Sequence, residues 1–503
     1  MTPPRSRSLG KFSYRPHPHL YEINTWVWLE ELSAKLGRYV ALRDVPDEQW
    51  DRLRSLGFDF VYLMGVWQRS AIGRRIFSTN PAEFPQFDAA LPGWRMADVV
   101  GSPYSIQNYV PDGRIGTFAD LNETRQKLRS RGMGLILDFV PNHTGFDHPW
   151  IQQFPERYVL GSEQDFRRNP DAFYLIEKEG GSVLFVARGK DPYFAPWRDV
   201  AQLNYLNPEC RAGMMETLKS VAQYCDGVRC DMAMLVTNEV FDRTWGNILH
   251  SWTPPATEFW QEATAQLPEF VWLAEVYWDM EWRMQQLGFK FTYDKRLYDR
   301  LSGAAPSEVR AHLRADISYQ SKLARFLENH DEPRAAATFP REKRAATALM
   351  LSTLPGMRFY HHGQLEGRKI RVPMPLARAA DEPLDRATLV AYEQILSLAN
   401  DDVFHSGEWK LLEVRSAGDE SCNDLIAYRW RNGNAASVIV VNLGNRAAQG
   451  MVQSDDTGIS KKCIYRDVLT GNQFIHDRAT IMREGFYVKL GAYQMHAFMV
   501  QAP

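Results

Sequence analysis

Neither sign of charge predominates in this 503-residue sequence: 59 Lys and Arg stand against 61 Asp and Glu, a formal net charge of −2. Without a cationic surplus to neutralise phosphates, general nucleic-acid binding is not expected. Cysteine is sparse. Cys210, Cys225, Cys230, Cys422 and Cys463 are odd in number and lack metal-ligand spacing, which suits free thiols in a reducing compartment. No uninterrupted apolar run is long enough to span a bilayer, so no membrane partner is expected. The opening stretch, MTPPRSRSLGKFSYRPHPHL, has no apolar h-region, and a cytoplasmic location is the resulting expectation. No GxGxxG follows the first strand, which counts against a nucleotide or nicotinamide enzyme.

What the sequence does contain is a recurring unit. Residues 1–20 are rich in Pro, Arg and Ser and read as a solvated arm, His17 and His19 included. Thereafter helix, glycine and buried strand alternate. Trp50, Leu53 and Leu56 fall at helical spacing, Gly57 ends the helix, and residues 58–63 read as a strand. Phe118, Leu121 and Leu128 precede Gly132 and the strand Leu135-Ile136-Leu137; Met214, Leu218 and Val221 precede Gly227 and a strand from Val228. Near-continuous apolar strands alternating with amphipathic helices imply a parallel sheet, and enough units recur to close a (β/α)₈ TIM barrel. The barrel is expected over residues 21–143 and 204–398. An irregular, aromatic-rich insertion fills 144–203, and an antiparallel β-sandwich runs over 399–503. The insertion's Tyr193, Phe194 and Trp197 read as core.

Functional side chains of such barrels sit where strands end. LILDFVPNH supplies Asp138, Asn142 and His143; GVRCD supplies Arg229 and Asp231, two apart and on one face; FVWLAE ends at Glu275; RFLENHD ends at His330 and Asp331. Arg229 beside Asp231 favours its ionised form. Glu275, with Trp272 and Trp278 close in sequence, is expected to have a raised pKa suited to general acid and base work. One carboxylate to attack, one to hold a proton and one to grip hydroxyls is the set that glycoside cleavage requires.

These four segments resemble the signature regions of the α-amylase superfamily, glycoside hydrolase family 13: DFVPNHT the first, GVRCDMAML the second, AEVYW the third and FLENHDEPR the fourth. Their style is closest to the oligo-1,6-glucosidase and transglycosidase branches. The resemblance implies Asp231 as nucleophile, Glu275 as acid/base and Asp331 as transition-state stabiliser. It implies that Arg229, His143 and His330 bind the reacting sugar and that Tyr104 stacks on it. Asp138 would brace Arg229, with Asn142 and Arg334 also in supporting places. The substrate implied is an α-linked oligo- or polysaccharide, cleaved with retention or transferred to another sugar. A non-catalytic scaffold on this fold would have lost the carboxylates, and all three are present.

Two departures stand out. Gly101 occupies the place, three residues before Tyr104, where exo-glucosidases of the family carry a clamping aspartate. Met234 and Leu235 replace the Lys and His that endo-amylases place after the nucleophile. Met232 and Met234 read as packing residues, Met234 being the one that could line a subsite. Cys230 is expected to face away from Arg229 and Asp231, and His361 and His362 to be structural. No cofactor is expected to be required. For calcium the sequence offers Asn142 but no acidic partner, so no metal site is assigned. Oligomeric state is not indicated.

Overall fold

The structure, a computed structural model, describes residues 12–178, 180–249, 252–253, 255–454 and 461–501. Eight parallel strands close into a barrel: β1 (His19–Asn24), β2 (Phe60–Met64), β3 (Gly134–Phe139), β4 (Gly227–Cys230), β5 (Val271–Ala274), β6 (Phe291–Tyr293), β7 (Leu323–Arg325) and β8 (Met357–His361). Each pairs with its neighbours in sequence, and β1 closes on β8 through His19 opposite Arg358. β1 to β5 are buried along their whole length, as expected of strands covered on both faces.

Local chemistry fixes the connecting helices. Thr117 caps helix Phe118–Ser130 through the Asp120 N–H, and Asp120 bonds back to the Thr117 N–H, a reciprocal cap. Asn207 caps Pro208–Val221, with proline in the first turn where no N–H is needed. Helix Asp47–Ser55 buries Trp50 and Leu53 and stops before Gly57. There φ is +85°, and a Cβ would stand 1.6 Å from Oδ1 of Asn400, so only glycine fits.

The first strand begins earlier than the composition suggested. His19 and Leu20 belong to β1, and His17 is buried, so the solvated-arm reading fails at its C-terminal end. The reason is a set of polar contacts that hydropathy does not report. The His19 N–H donates to Asp59, Arg15 pairs with the same carboxylate, and His17 Nδ1 accepts from the Gly356 N–H. Burial pushes His17 down to about 3, so it is neutral.

Three excursions leave the barrel. Residues 67–111, not separated from the barrel in the sequence reading, form an antiparallel strand pair (Trp67–Arg69 with Ile106–Pro111) that brackets two helices (Ala71–Thr79, Phe84–Ala90) over a small core of Phe87, Leu91, Val99 and Leu376. The second follows β3. Strand His143–Gly145 pairs antiparallel with Val200–Gln202, enclosing a three-stranded sheet of residues 160–161, 173–177 and 183–187. The third is C-terminal: a six-stranded and a three-stranded antiparallel sheet share a core that includes Leu425, Val440, Val452 and Phe486. It docks on the barrel through Trp430 Nε1–H to Thr353 O at 2.6 Å. Among the described residues no helix is long and apolar enough to cross a membrane.

Candidate active site

The carboxyl ends of β3, β4, β5 and the segment after β7 converge on one cleft of about 400 Å³, lined by Tyr104, His143, Asp231, Glu275 and Asp331 among others. β4 ends at Cys230 and β5 at Ala274, so Asp231 and Glu275 each follow their strand by one residue. β7 is short; a non-regular segment carries the chain from Arg325 to His330 and Asp331. Asn329 fixes that segment's tip by accepting the Asp331 and Glu332 N–H groups.

Arg229 is the hub. It is fully buried; Nη1 meets Asp231 Oδ1 at 2.7 Å, Nη2 meets Glu275 Oε2 at 2.7 Å, and Asp331 Oδ2 lies 4.0 Å away. Its guanidinium lies 5.0 Å from the Tyr104 ring centroid, and Nε donates to the Tyr293 hydroxyl. A charge removed from water needs such partners, and here one cation serves two buried carboxylates.

The three carboxyls are held in different states. Burial pushes Glu275 up to about 7, with Asp231 and Asp331 adding to the rise and Arg229 opposing it. Burial also raises Asp231, against the pull of Arg229. Asp331 is the most open of the three, its side chain 31% exposed, and His330, Arg229 and Arg371 together hold it down at about 2 against a partial loss of solvent. One group can thus carry a proton near neutrality while another stays ionised.

The cause of Glu275's shift differs from the sequence expectation. Trp272 points out of the barrel to Trp260 and Phe289, and Trp278 packs edge-on against Tyr193. Strand alternation explains it, since positions 272 and 275 have opposite parity. Burial itself raises Glu275, while the donors it accepts, the Met232 N–H at 2.7 Å and the Tyr277 hydroxyl at 2.9 Å, favour the ionised form and oppose that rise.

The remaining residues divide between cleft and support. His143 Nε2 lies 4.0 Å from Asp231, and burial keeps His143 neutral by lowering it to about 3. His330 is the reverse case. Although burial opposes its charge, Asp331 at 3.0 Å and Glu22 at 2.5 Å raise its pKa well above the usual value. Tyr104 OH lies 2.6 Å from His330 Nε2. Asp138 does not pair with Arg229: its carboxylate accepts from the Tyr62 hydroxyl and, at 2.6 Å, from the Gly65 N–H, tying β3 to β2. Arg334 lies behind the cleft on Glu328, His361 and the His362 carbonyl; His362 pairs with Glu31. Cys230 is buried in the core.

Asn142 does not fit a calcium site. Gln202 pairs with its amide, and Gln202 Nε2 donates to Asn142 O, Asn142 Oδ1 and Leu203 O at 2.9, 2.9 and 3.1 Å. Among the described residues no three His, Cys, Asp or Glu side chains are grouped to hold a metal.

Several cleft residues were not found in the sequence. Phe194 is 72% exposed and lines the cleft with Trp197, against the core reading; Tyr193 is 59% exposed. The Asp191 carboxylate accepts the Tyr193 and Phe194 N–H groups and so presents that turn outward. Met234 is buried in the core, as a packing residue should be, whereas Met232, also read as packing, lines the cleft. Glu22, buried on β1 under His330, carried one signal: an acid set between the apolar Tyr21 and Ile23 within a strand. Phe77 and Met374 come from the unread first excursion and the segment after β8, and carried none.

A closed parallel barrel with an acidic cleft at its carboxyl ends defines the class as a (β/α)₈-barrel protein with a polar, carboxylate-lined site. The chain belongs to the α-amylase family, whose catalytic-domain model matches residues 48–371. It is similar to alpha-amylase MalA of Haloarcula japonica, 25% identical over 414 residues that cover 80% of this chain and 52% of MalA. The chain thus spans about half the length of the curated relatives it matches first. Trehalose-6-phosphate hydrolase of Escherichia coli is 30% identical over 163 residues, 28% of this chain and 27% of that one. In fold, the maltogenic alpha-amylase AmyB of Thermotoga neapolitana matches 97% of this chain and 99% of its own, at 20% identity and a TM-score of 0.67.

Proposed function

We propose that this protein is a retaining glycosidase of α-glucans and α-linked oligosaccharides that works through a covalent glycosyl-enzyme. The observation that carries the reading is the sharing of one buried guanidinium, Arg229, by Asp231 and Glu275 at 2.7 Å each. Carboxylates held on one cation favour the close separation, about 5 Å, that retention uses; inversion needs a wider gap for water. In this mechanism Asp231 attacks the anomeric carbon while Glu275, at about 7, gives its proton to the leaving oxygen. Water, deprotonated by Glu275, then releases the sugar and regenerates both groups. Asp331 stays ionised against His330 and stabilises the positive charge developing on the ring. His143 and His330 hold sugar hydroxyls, and Tyr104 supplies the stacking face.

Relatives named alpha-amylase support an α-glucan substrate. The exposed Tyr193–Phe194 turn, whose Phe194 lines the cleft and whose Tyr193 packs edge-on against Trp278, favours a second outcome, transfer of the glycosyl group to a sugar acceptor, because aromatic faces can hold one there. The test is proton NMR of maltotetraose turnover with and without added glucose. The first-formed reducing end is expected to be α, and added acceptor is expected to give longer or re-linked products. Initial β product would overturn the mechanism.

A further inference from the structure

In the wall of the cleft, outside the three central carboxyls, Asp199 has no role in the chemistry just described. It lies directly before strand Val200–Gln202, is 7% exposed, and faces the cleft. Its backbone is tied down: the Ser105 hydroxyl donates to Asp199 O at 2.8 Å, and the Ser70 N–H in turn donates to Ser105 O at 2.7 Å. Its side chain leaves one oxygen, Oδ2, buried with no hydrogen-bond partner. The other cleft carboxyls are engaged: Asp231 by Arg229, Glu275 by Arg229, Met232 and Tyr277, Asp331 by His330, and Asp191 by two backbone N–H groups.

A buried carboxyl oxygen without a donor is costly, and its cost is removed by a ligand that brings hydroxyl hydrogens. Burial pushes Asp199 up to about 6, against the opposing pull of its own backbone N–H and of Arg188. The surroundings say which part of the substrate reaches it. Asp199 is fastened to Ser105, next to Tyr104, and lines the cleft together with Tyr104 and Ser102. The same wall has no room for an acid at Gly101: φ there is +89°, a Cβ would meet the Arg74 backbone at 3.1 Å, and the carbonyl is held by Arg69 at 2.6 Å.

We propose that Asp199 binds the hydroxyls of a second glucosyl unit, next to the reacting one on the Tyr104 side, and so makes the enzyme prefer an α-linked disaccharide glycone to a single glucosyl group. This rests on the glycosidase reading above. The test compares nitrophenyl α-maltoside with nitrophenyl α-glucoside for the wild type and Asp199→Asn, with calorimetric binding of maltotetraose to both proteins. The wild type is expected to prefer the maltoside. Asn at 199 is expected to cut the maltoside-to-glucoside ratio of kcat/KM about tenfold, through KM, as loss of one charge-assisted hydrogen bond would. The glucoside rate and Tm should stay as in the wild type, which a structural role would not allow. An unchanged ratio, or a wild type indifferent to the second glucose, overturns the proposal and leaves the glycosidase reading standing. Absence of turnover with maltotetraose binding still weakened by Asp199→Asn sinks the glycosidase reading and supports the site; absence of both turnover and binding sinks both.

Discussion

Met232 donates its backbone N–H to Glu275 Oε2 at 2.7 Å from a left-handed conformation, φ +41°. A non-glycine residue there costs about 1–2 kcal/mol, and a β-branched one more. The strained residue follows Asp231 directly, so the turn that aims one carboxylate also supplies a donor to another. Met232→Gly keeps the N–H and removes the strain, and its unfolding free energy should stay within about 1 kcal/mol of wild type. Met232→Val should lose about 1–3 kcal/mol and, by moving that N–H, lower kcat as well. Thermal unfolding with steady-state kinetics reads both effects; a Val variant as stable and active as wild type would show that the conformation carries no strain.

Glu275's proton should set the alkaline side of the pH profile. With its carboxyl at about 7, kcat/KM is expected to fall as pH rises through that value. The same shift has a stability consequence. Because the folded value lies above the ordinary carboxyl range, folding favours the protonated form, and this contribution is complete at low pH and lost as pH rises through about 7. Glu275→Gln cannot lose it, so its stability relative to wild type should increase between pH 6 and pH 8. Denaturant titrations at the two pH values check this; a constant difference would contradict the raised pKa.

Much of this site was legible because barrel strands place residues by parity and end position. GVRCD puts Arg229 and Asp231 on one face by spacing alone, and AEVYW puts Glu275 at a strand end. What was not legible depends on tertiary partners. His19 looked solvated because nothing local announces Asp59 and Arg358 around it. Phe194 looked like core because an aromatic in an insertion carries no mark of the Asp191 carboxylate that turns it outward. Trp272 was legible too: counted by parity from Glu275, it falls on the helix side of the strand, against Trp260.

The buried pair Glu22 and His330, 2.5 Å apart, should keep the imidazole protonated at alkaline pH. Burial disfavours that charge, but Asp331 and Glu22 outweigh it and raise the pKa well above the usual histidine value. A raised histidine contributes stability that is full below the unfolded value and lost only as pH passes the folded one. Glu22→Gln removes one anion and leaves the cation under-compensated, a change that costs about 3–5 kcal/mol for buried pairs. Nitrogen NMR of the imidazole should show His330 charged at pH 8 in the wild type and titrating at lower pH in the variant. A neutral His330 at pH 8 in the wild type would refute the assignment.

Asp231→Ala should remove the covalent step and little else. Arg229 keeps Glu275 at 2.7 Å and the Tyr293 hydroxyl, so the guanidinium is not stranded. The loss in kcat is expected to be about 10⁴-fold or greater, as for removal of a nucleophile elsewhere. Circular dichroism and Tm should remain near wild type, and maltotetraose should still bind. Residual activity within about tenfold of wild type would assign attack to another group.

Gln202 should make the junction between barrel and insertion indifferent to metal. Its Nε2 sits among three oxygens, Asn142 O, Asn142 Oδ1 and Leu203 O, where an amide donor rather than a cation satisfies them. Calcium prefers cages of six to eight oxygens including carboxylates, and a neutral donor in the middle repels it. Chelator treatment is therefore expected to leave Tm unchanged. Gln202→Ala strands these acceptors and should cost about 1–3 kcal/mol. Gln202→Glu replaces the donor with a carboxylate beside the same oxygens; it should unfold more readily in chelator and recover part of its Tm in millimolar calcium. A wild type whose Tm drops by several degrees in chelator would show that a cation, not the amide, holds this junction.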